Sequence, residues 1–164
     1  MENPKKENVL KIASNKKIQY MDGLRLSRAI IAGIRYLVSR QDHLNKINVF
    51  PVPDGDTGTN MSFTMNSILE VAIEQMQPRV DIFTKNISDA AIDGARGNSG
   101  VLIAQYFVGF AEGCEKKEKL DGYTLGKAFE VGSKSAREAM EDPKEGTILT
   151  VFQDLSDVIN NSLN

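Results

Sequence analysis

The sequence has few of the residues that disulfides, histidine chemistry or membrane insertion would require. Its 164 residues include one cysteine and one histidine. A single cysteine, Cys114, cannot form an internal disulfide, which is typical of a protein in a reducing compartment. No stretch approaches the roughly 18 apolar residues of a membrane-spanning helix, and residues 1–8 lack the apolar core of a signal peptide. We therefore expect a soluble, cytoplasmic protein with no membrane span.

Neither sign of charge dominates the chain. The 20 Lys and Arg residues nearly balance the 22 Asp and Glu residues, which gives a formal net charge of −2. This balance gives no electrostatic reason to expect nucleic acid or an anionic membrane as a partner. The length is that of one domain with a substantial core, and no shift in composition divides it. A single domain is the expectation.

Nucleophilic catalysis has little support in the sequence. His43 is the only histidine, and its position before an acidic segment favours an exposed residue at a helix end over a general base. Cys114 is predicted to lie in a charged loop, with no histidine nearby in the sequence. Neither a Ser-His-Asp triad nor a Cys-His pair is therefore indicated.

The apolar residues recur at helical spacing, and alternation typical of β-strands is nowhere sustained. A lead-in tail over residues 1–20 precedes a domain at 21–164. Within that domain Asp22 is a plausible N-cap for the first helix, and Thr59 or Asn60 for the second. The predicted helices cover about residues 22–40, 60–77, 82–95, 99–113, 124–140 and 146–160. The helix at 99–113 has little polar face, so we expect it to be central in an all-α antiparallel bundle with functional loops at helix ends.

The segment Asn48–Met61, NVFPVPDGDTGTNM, combines two carboxylates with small polar side chains in one turn between helices. Asp54 and Asp56 are two residues apart in a stretch stiffened by proline, so both can face one cation. Oxygen ligands in a small cluster favour Mg²⁺. An EF-hand is disfavoured because, counting from Asp54, Thr59 occupies the position that requires glycine. The alternative for the two carboxylates is an acidic turn that only caps a helix.

A second segment, Gly94–Gly100, has the sequence GARGNSG and is weak evidence by itself. Its alternative is a tight turn between two helices. It is not a Walker A loop, because the Lys-Ser/Thr ending is absent, and Val101 excludes a Gly-x-Ser-x-Gly nucleophile elbow. Asn98 and Ser99 nevertheless precede the predicted central helix, where free N–H groups can hold a phosphate.

Three segments together resemble a known family. Asn48–Met61 resembles the signature of the nucleotide-binding L domain of the dihydroxyacetone kinase family, in the longer form of the bacterial fatty-acid kinases. Gly94–Gly100 resembles the second phosphate loop of that family. Glu145–Thr150, EGTILT, resembles its later nucleotide-contacting turn. The three segments follow the family's order.

The resemblance implies a helical barrel of eight helices, of which the last lies beyond Asn164, so the domain is expected to be C-terminally incomplete. It implies ATP and Mg²⁺, with two ions, and phosphoryl transfer with Asp54 and Asp56 as catalytic residues and metal ligands. Asn48 is a candidate third metal ligand, in place of an aspartate in some family members. The implied nucleotide-binding residues are Thr57, Gly58, Thr59, Asn60, Gly97, Asn98, Ser99, Gly100 and Thr147.

The resemblance also implies that the acceptor is held by a partner. The first expectation is a fatty acid on a fatty-acid-binding protein, so that the chain alone is inactive. The alternatives are a subunit of a dihydroxyacetone-type kinase and a non-catalytic module that senses nucleotide. The sequence leaves the oligomeric state open, with a homodimer among the options.

Overall fold

The computed structural model describes residues 19–50 and 52–163 as a helical bundle, which confirms the predicted all-α class. Most of the predicted lead-in, residues 1–18, lies outside the described residues. The helices are α1 Gly23–Ser39, α2 Gln41–Ile47, α3 Thr57–Glu74, α4 Val80–Gly94, α5 Gly97–Gly113, α6 Gly122–Glu138 and α7 Ile148–Leu163. Two short strands, β1 Met21–Asp22 and β2 Lys119–Leu120, pair in antiparallel register.

Helix α2 and the two strands are the elements that the sequence pattern did not reveal. Helix α2 has seven residues and no buried side chain, so it lacks the repeated apolar face from which the longer helices were predicted. The strands have two residues each, too few for alternation to be recognised. In the described part of the chain, no helix is long and apolar enough to cross a membrane.

Of the two predicted N-caps, the first is confirmed and the second is wrong. Asp22 caps α1 as predicted, because its carboxylate accepts a hydrogen bond of 2.8 Å from the Arg25 N–H. The prediction of Thr59 or Asn60 as the cap of the next helix was wrong, since α3 begins at Thr57 and its N-cap position is Asp56. Side chains from α2 and the residue that follows it satisfy the first turn of α3 instead.

Helix α5 is central, as its apolar sequence predicted, and packs against α3, α4, α6 and α7. Its contact with α6 is close because small residues face each other. A Cβ atom at Gly109 would lie 2.5 Å from both the Cβ atom of Ser135 and the carbonyl oxygen of Val131. Gly113 approaches Ala128 in the same way, so the two helices run antiparallel.

Helix α7 packs on α5 and α6 through a second apolar cluster, formed by Leu102, Tyr106, Ala136 and Leu149. The rings of Tyr106 and Phe152 stack with centroids 4.1 Å apart. Because Leu102 in the second turn of α5 and Leu149 in the first turn of α7 belong to the same buried cluster, both helices begin at the same end of the bundle.

Cys114, which the sequence predicts to lie in a charged loop, lies where α5 ends and that loop begins. The residue caps the C-terminus of α5 and is fully buried in the core beside Thr84. Burial raises the pKa of the Cys114 thiol to about 12. The charged sequence that follows had suggested a surface loop, whereas the apolar face of α5 continues through this position.

Candidate functional site

The predicted site residues lie at the end of the bundle where α3, α5 and α7 begin. The Ser99 hydroxyl donates a hydrogen bond of 3.4 Å to the Thr57 carbonyl oxygen, which joins the first turns of α5 and α3. Thr147 precedes α7 directly. The fold thus places at one end three segments that together span about 90 residues of the sequence. Three helix N-termini make this end favourable for negative charge.

The two aspartates of the acidic segment are exposed, and the Asp54 side chain turns toward the Asp56 backbone. The Asp54 carboxylate accepts a contact of 3.5 Å from the Asp56 N–H, across Gly55 with φ +69°. Glycine takes this left-handed conformation without strain. Within residues 19–50 and 52–163, neither carboxylate has an ion-pair partner. Both carboxylates are therefore accessible to a cation.

The donor set fits a hard cation of the Mg²⁺ type, which takes oxygen ligands and retains waters or substrate oxygens. Among the described residues, no group of three or more His, Cys, Asp or Glu side chains is placed to hold a metal ion. Asp54 and Asp56 would therefore supply two oxygen ligands and leave the remaining positions to other oxygens. This is the arrangement by which Mg²⁺ is usually held between carboxylates and phosphates.

Two asparagines satisfy the first turn of α3. The Asn48 amide oxygen accepts hydrogen bonds from the Thr57 N–H at 3.3 Å and from the Thr57 hydroxyl at 2.9 Å. The Asn45 amide oxygen accepts from the Thr59 N–H at 3.0 Å. The Asn60 N–H donates to the Asp56 carbonyl oxygen. Most of the backbone donors expected to bind phosphate at α3 are therefore used within the protein.

The first turn of α5 differs, because its backbone donors are not used. In the described part of the chain, the N–H groups of Gly97, Asn98 and Ser99 have no hydrogen-bond acceptor, whereas Gly100 donates to the Arg96 carbonyl oxygen. Asn98 is exposed and Ser99 is half-buried. A helix of 17 residues directs its positive dipole end at this point. The start of α5 is therefore the better anion site of the two.

Close contacts fix the start of α5 against α3. Gly97 has φ +57°, and a Cβ atom there would lie 2.3 Å from the Asn60 side-chain nitrogen. The Thr64 hydroxyl accepts a hydrogen bond of 3.2 Å from the Arg96 N–H and donates to the Asn60 carbonyl oxygen at 3.1 Å. A Cβ atom at Gly100 would lie 2.3 Å from the Thr64 hydroxyl oxygen. The glycines thus permit the approach of the two helix starts.

Thr147 acts as the N-cap of α7 in this structure. Its hydroxyl accepts a hydrogen bond of 3.3 Å from the Leu149 N–H and donates to the Lys144 carbonyl oxygen at 2.8 Å. Nearby, the Thr150 hydroxyl and the Arg137 guanidinium hold the pKa of the exposed Glu145 carboxyl below its usual value. The cap is half-buried, so Thr147 remains accessible from the shared end.

Two other polar residues near these segments, His43 and Arg96, lie at the surface. His43 is exposed on α2, as predicted, although the sequence did not reveal that short helix. Arg96 is exposed, and its guanidinium donates to the Ala95 carbonyl oxygen at 2.8 Å.

Asn45 and Thr64 are the residues of this site that sequence reasoning missed. Asn45 precedes the acidic segment by three residues, and its i, i+3 spacing to Asn48 is the only local signal of a shared role. Thr64 lies within the apolar pattern of α3 and carries no local signal. Its contacts with Asn60 and Arg96 arise only when α3 and α5 pack together.

Comparisons with known proteins identify the family of this chain. The DAK2 domain family matches residues 51–164. An uncharacterized protein of Staphylococcus saprophyticus is 39% identical over 140 residues, which are 85% of this chain and 25% of that protein. An uncharacterized protein of Staphylococcus aureus strain USA300 is 39% identical over 137 residues, 84% of this chain and 25% of that protein. The chain thus spans about a quarter of the length of these curated relatives. It belongs to the DAK2 domain family, a nucleotide-binding kinase-family module.

Proposed function

We propose that this chain is the ATP-binding domain of a kinase and that it works with Mg²⁺. The observation that carries the proposal is the free first turn of α5, with Gly97, Asn98 and Ser99, at the same end as Asp54 and Asp56. Backbone N–H donors favour phosphate, whereas carboxylates favour a cation. A nucleotide polyphosphate bound through Mg²⁺ satisfies both.

In this proposal the chain contributes mainly position and charge. The N–H groups at the start of α5 hold phosphate oxygens, and Asp54 and Asp56 hold the cation. Mg²⁺ supplies neutralisation of the phosphate charge that develops during transfer. Asn48 orders the acidic segment through Thr57 and Val52, and its proposed role as a third oxygen ligand would require its amide oxygen to release a hydrogen bond from Thr57. Thr147 and Gly100 complete the proposed nucleotide contacts. No general base is required if the acceptor is a carboxylate, which is already ionised at neutral pH.

We propose a fatty acid delivered by a carrier protein as the acceptor. The acidic segment is flanked by exposed apolar side chains, Ile47, Val49, Phe50 and Val52, which are 54–72% exposed. Exposed apolar residues that cluster in this way typically mark a contact with a partner or an apolar ligand. Their position next to Asp54 and Asp56 supports an acceptor that arrives with an apolar group.

The direct test is phosphate transfer from ATP with Mg²⁺, comparing a fatty-acid-loaded carrier, dihydroxyacetone and a free fatty acid as acceptors. The chain alone and the chain extended as in its longer relatives are both assayed. We expect nucleotide binding by the chain alone, and transfer only when a loaded carrier and the extended protein are present. Transfer to dihydroxyacetone would assign the chain to the hydroxyketone kinases. Binding without transfer to any of these acceptors would indicate a nucleotide sensor.

A variant of the apolar patch separates acceptor delivery from nucleotide binding. Phe50→Ser should reduce transfer in the complete system while ATP affinity stays within about twofold of wild type, since Phe50 is exposed and makes no core contact. Tyr123→Ser, at an exposed aromatic residue in the first turn of α6, serves as the control. Equal transfer by the two variants would remove the patch from acceptor delivery.

A further inference from the structure

The two asparagines beside α3 do more than cap a helix, because they also determine which way two threonine hydroxyls point. Asn45 and Asn48 each contact one threonine twice, once at its backbone N–H and once at its hydroxyl. A backbone N–H is always a donor, so an amide oxygen must face it. The orientation of each amide group follows from that constraint.

The consequence differs between the two pairs. The Asn45 amide oxygen faces the Thr59 N–H, so its NH₂ group donates to the Thr59 hydroxyl oxygen at 2.9 Å. The hydroxyl accepts there, and its hydrogen is left to point elsewhere. At the other pair, the Asn48 NH₂ group donates to the Val52 carbonyl oxygen at 2.8 Å, and its oxygen faces Thr57. The Thr57 hydroxyl must therefore donate to Asn48, which leaves its oxygen lone pairs available to another group.

We propose that Asn45 and Asn48 are positioning residues that give Thr57 and Thr59 opposite polarity. Thr59 presents a hydrogen to a phosphate oxygen, and Thr57 presents an oxygen to the cation or to a water bound to it. The inference rests on the proposed nucleotide function. It adds the residues that direct one threonine hydroxyl to the phosphate and the other to the cation within one helical turn. Neither asparagine needs to touch the nucleotide for this role.

The variant Asn45→Asp tests the proposal with almost no change in shape. A carboxylate still accepts from the Thr59 N–H, so the cap is kept. Its second oxygen replaces a donor by an acceptor, and the Thr59 hydroxyl must then turn its hydrogen inward. We expect MgATP affinity to fall about tenfold, which corresponds to ~1.4 kcal/mol. Affinity for adenosine, which has no phosphate, should stay within about twofold, and thermal unfolding without nucleotide should be unchanged.

A double-mutant cycle separates two effects of Asn45→Asp on MgATP affinity, that of the new negative charge and that of the turned Thr59 hydroxyl. Thr59→Val removes the hydroxyl and should weaken MgATP binding, while Thr59→Ser retains it and should bind as wild type does. In the Thr59→Val background, Asn45→Asp should cost at least threefold less than it does alone, because only its charge then acts. If Asn45→Asp does not fold, the Thr59→Val and Thr59→Ser pair decides, and equal MgATP affinity for those two variants overturns the proposal.

Calorimetric titration of the full chain distinguishes the outcomes. A wild-type chain that binds no MgATP would overturn the proposed function and this inference with it. Wild-type binding, together with an Asn45→Asp loss that persists in full in the Thr59→Val background, would overturn the inference alone. Parallel losses of MgATP and adenosine would also overturn it, since they would indicate general damage.

Discussion

At the scale of single residues, two exposed carboxylates and two asparagines that satisfy the first turn of α3 define the candidate site. The carboxylates of Asp54 and Asp56 are exposed and accessible, as the acidic motif suggested. The family resemblance also implied that Thr57 and Thr59 bind nucleotide, and their backbone N–H groups are donors at the start of α3. Asn45, which lies 14 residues before Thr59, takes up one of those donors. Contacts at that separation depend on how α2 packs on α3, which no local pattern reports.

Cys114 gives a prediction about residue reactivity. The thiol is fully buried and its pKa is raised to about 12, so very little thiolate exists at pH 8. The folded protein should react with a thiol reagent at least about a hundredfold more slowly than the unfolded chain in denaturant. Absorbance of the released reagent group measures both rates. Comparable rates would contradict the buried position.

The raised pKa of Cys114 also gives a pH dependence of stability. The folded thiol holds its proton up to about pH 12, whereas an unperturbed thiol has a pKa of 9.0. Above pH 9 the unfolded state therefore binds fewer protons, and this contribution to stability is lost as the pH rises toward 12. Cys114→Ala should lessen the fall in stability between pH 9 and 10.5, measured by urea unfolding. An unchanged slope would exclude Cys114 as its source.

At the scale of elements, helical periodicity predicted the six long helices, and it did so because each buries an apolar stripe. Their ends shifted by up to two or three residues, as at α4, which begins at Val80 rather than near 82. The caps that set such ends involve single side chains outside the periodic pattern. The sequence did not predict the pairing of α5 with α6. That pairing depends on glycines, and within a helical pattern a glycine indicates only a less stable helix.

That pairing gives a prediction with a matched control. Gly109→Ala places a methyl group 2.5 Å from the Val131 carbonyl oxygen and should lower the free energy of unfolding by about 1–3 kcal/mol. Gly33→Ala makes the same change on the exposed face of α1, where nothing lies within 4 Å. It should raise stability by about 0.5–1 kcal/mol. Denaturant unfolding of both variants gives the comparison, and equal effects would contradict the close contact of α5 and α6.

At the scale of the whole molecule, the two ends of the bundle differ. The starts of α3, α5 and α7 share one end, while the β1 and β2 ribbon follows the C-terminus of α5 at the other. Helix α5 separates them by about 25 Å. The sequence predicted that functional loops would lie at helix ends, but it did not determine which ends coincide. That arrangement follows from contacts such as Leu102 with Leu149.

The difference between the two ends of the bundle predicts where bound nucleotide should slow hydrogen exchange. MgADP should protect peptides that cover 96–100 most strongly, because the backbone donors there are unused in the free protein. Peptides that cover 57–60 should change less, since Asn45 and Asn48 already hold their N–H groups. The ribbon at 19–23 and 117–121 should not change. Protection that is equal at both ends would contradict a single nucleotide site at the start of α5.

The central claim is that Asp54 and Asp56 hold the cation through which nucleotide binds. Titration calorimetry of ATP into the wild type, Asp54→Asn and Asp56→Asn, each with Mg²⁺ or with a chelator, tests it most directly. Asp154→Asn, on an exposed face of α7, is the control. We predict Mg²⁺-dependent binding for wild type and control, and its loss in both site variants with unchanged circular dichroism, because the two carboxylates lie in an exposed turn outside the core. Undiminished Mg²⁺-dependent binding in both site variants would contradict the account.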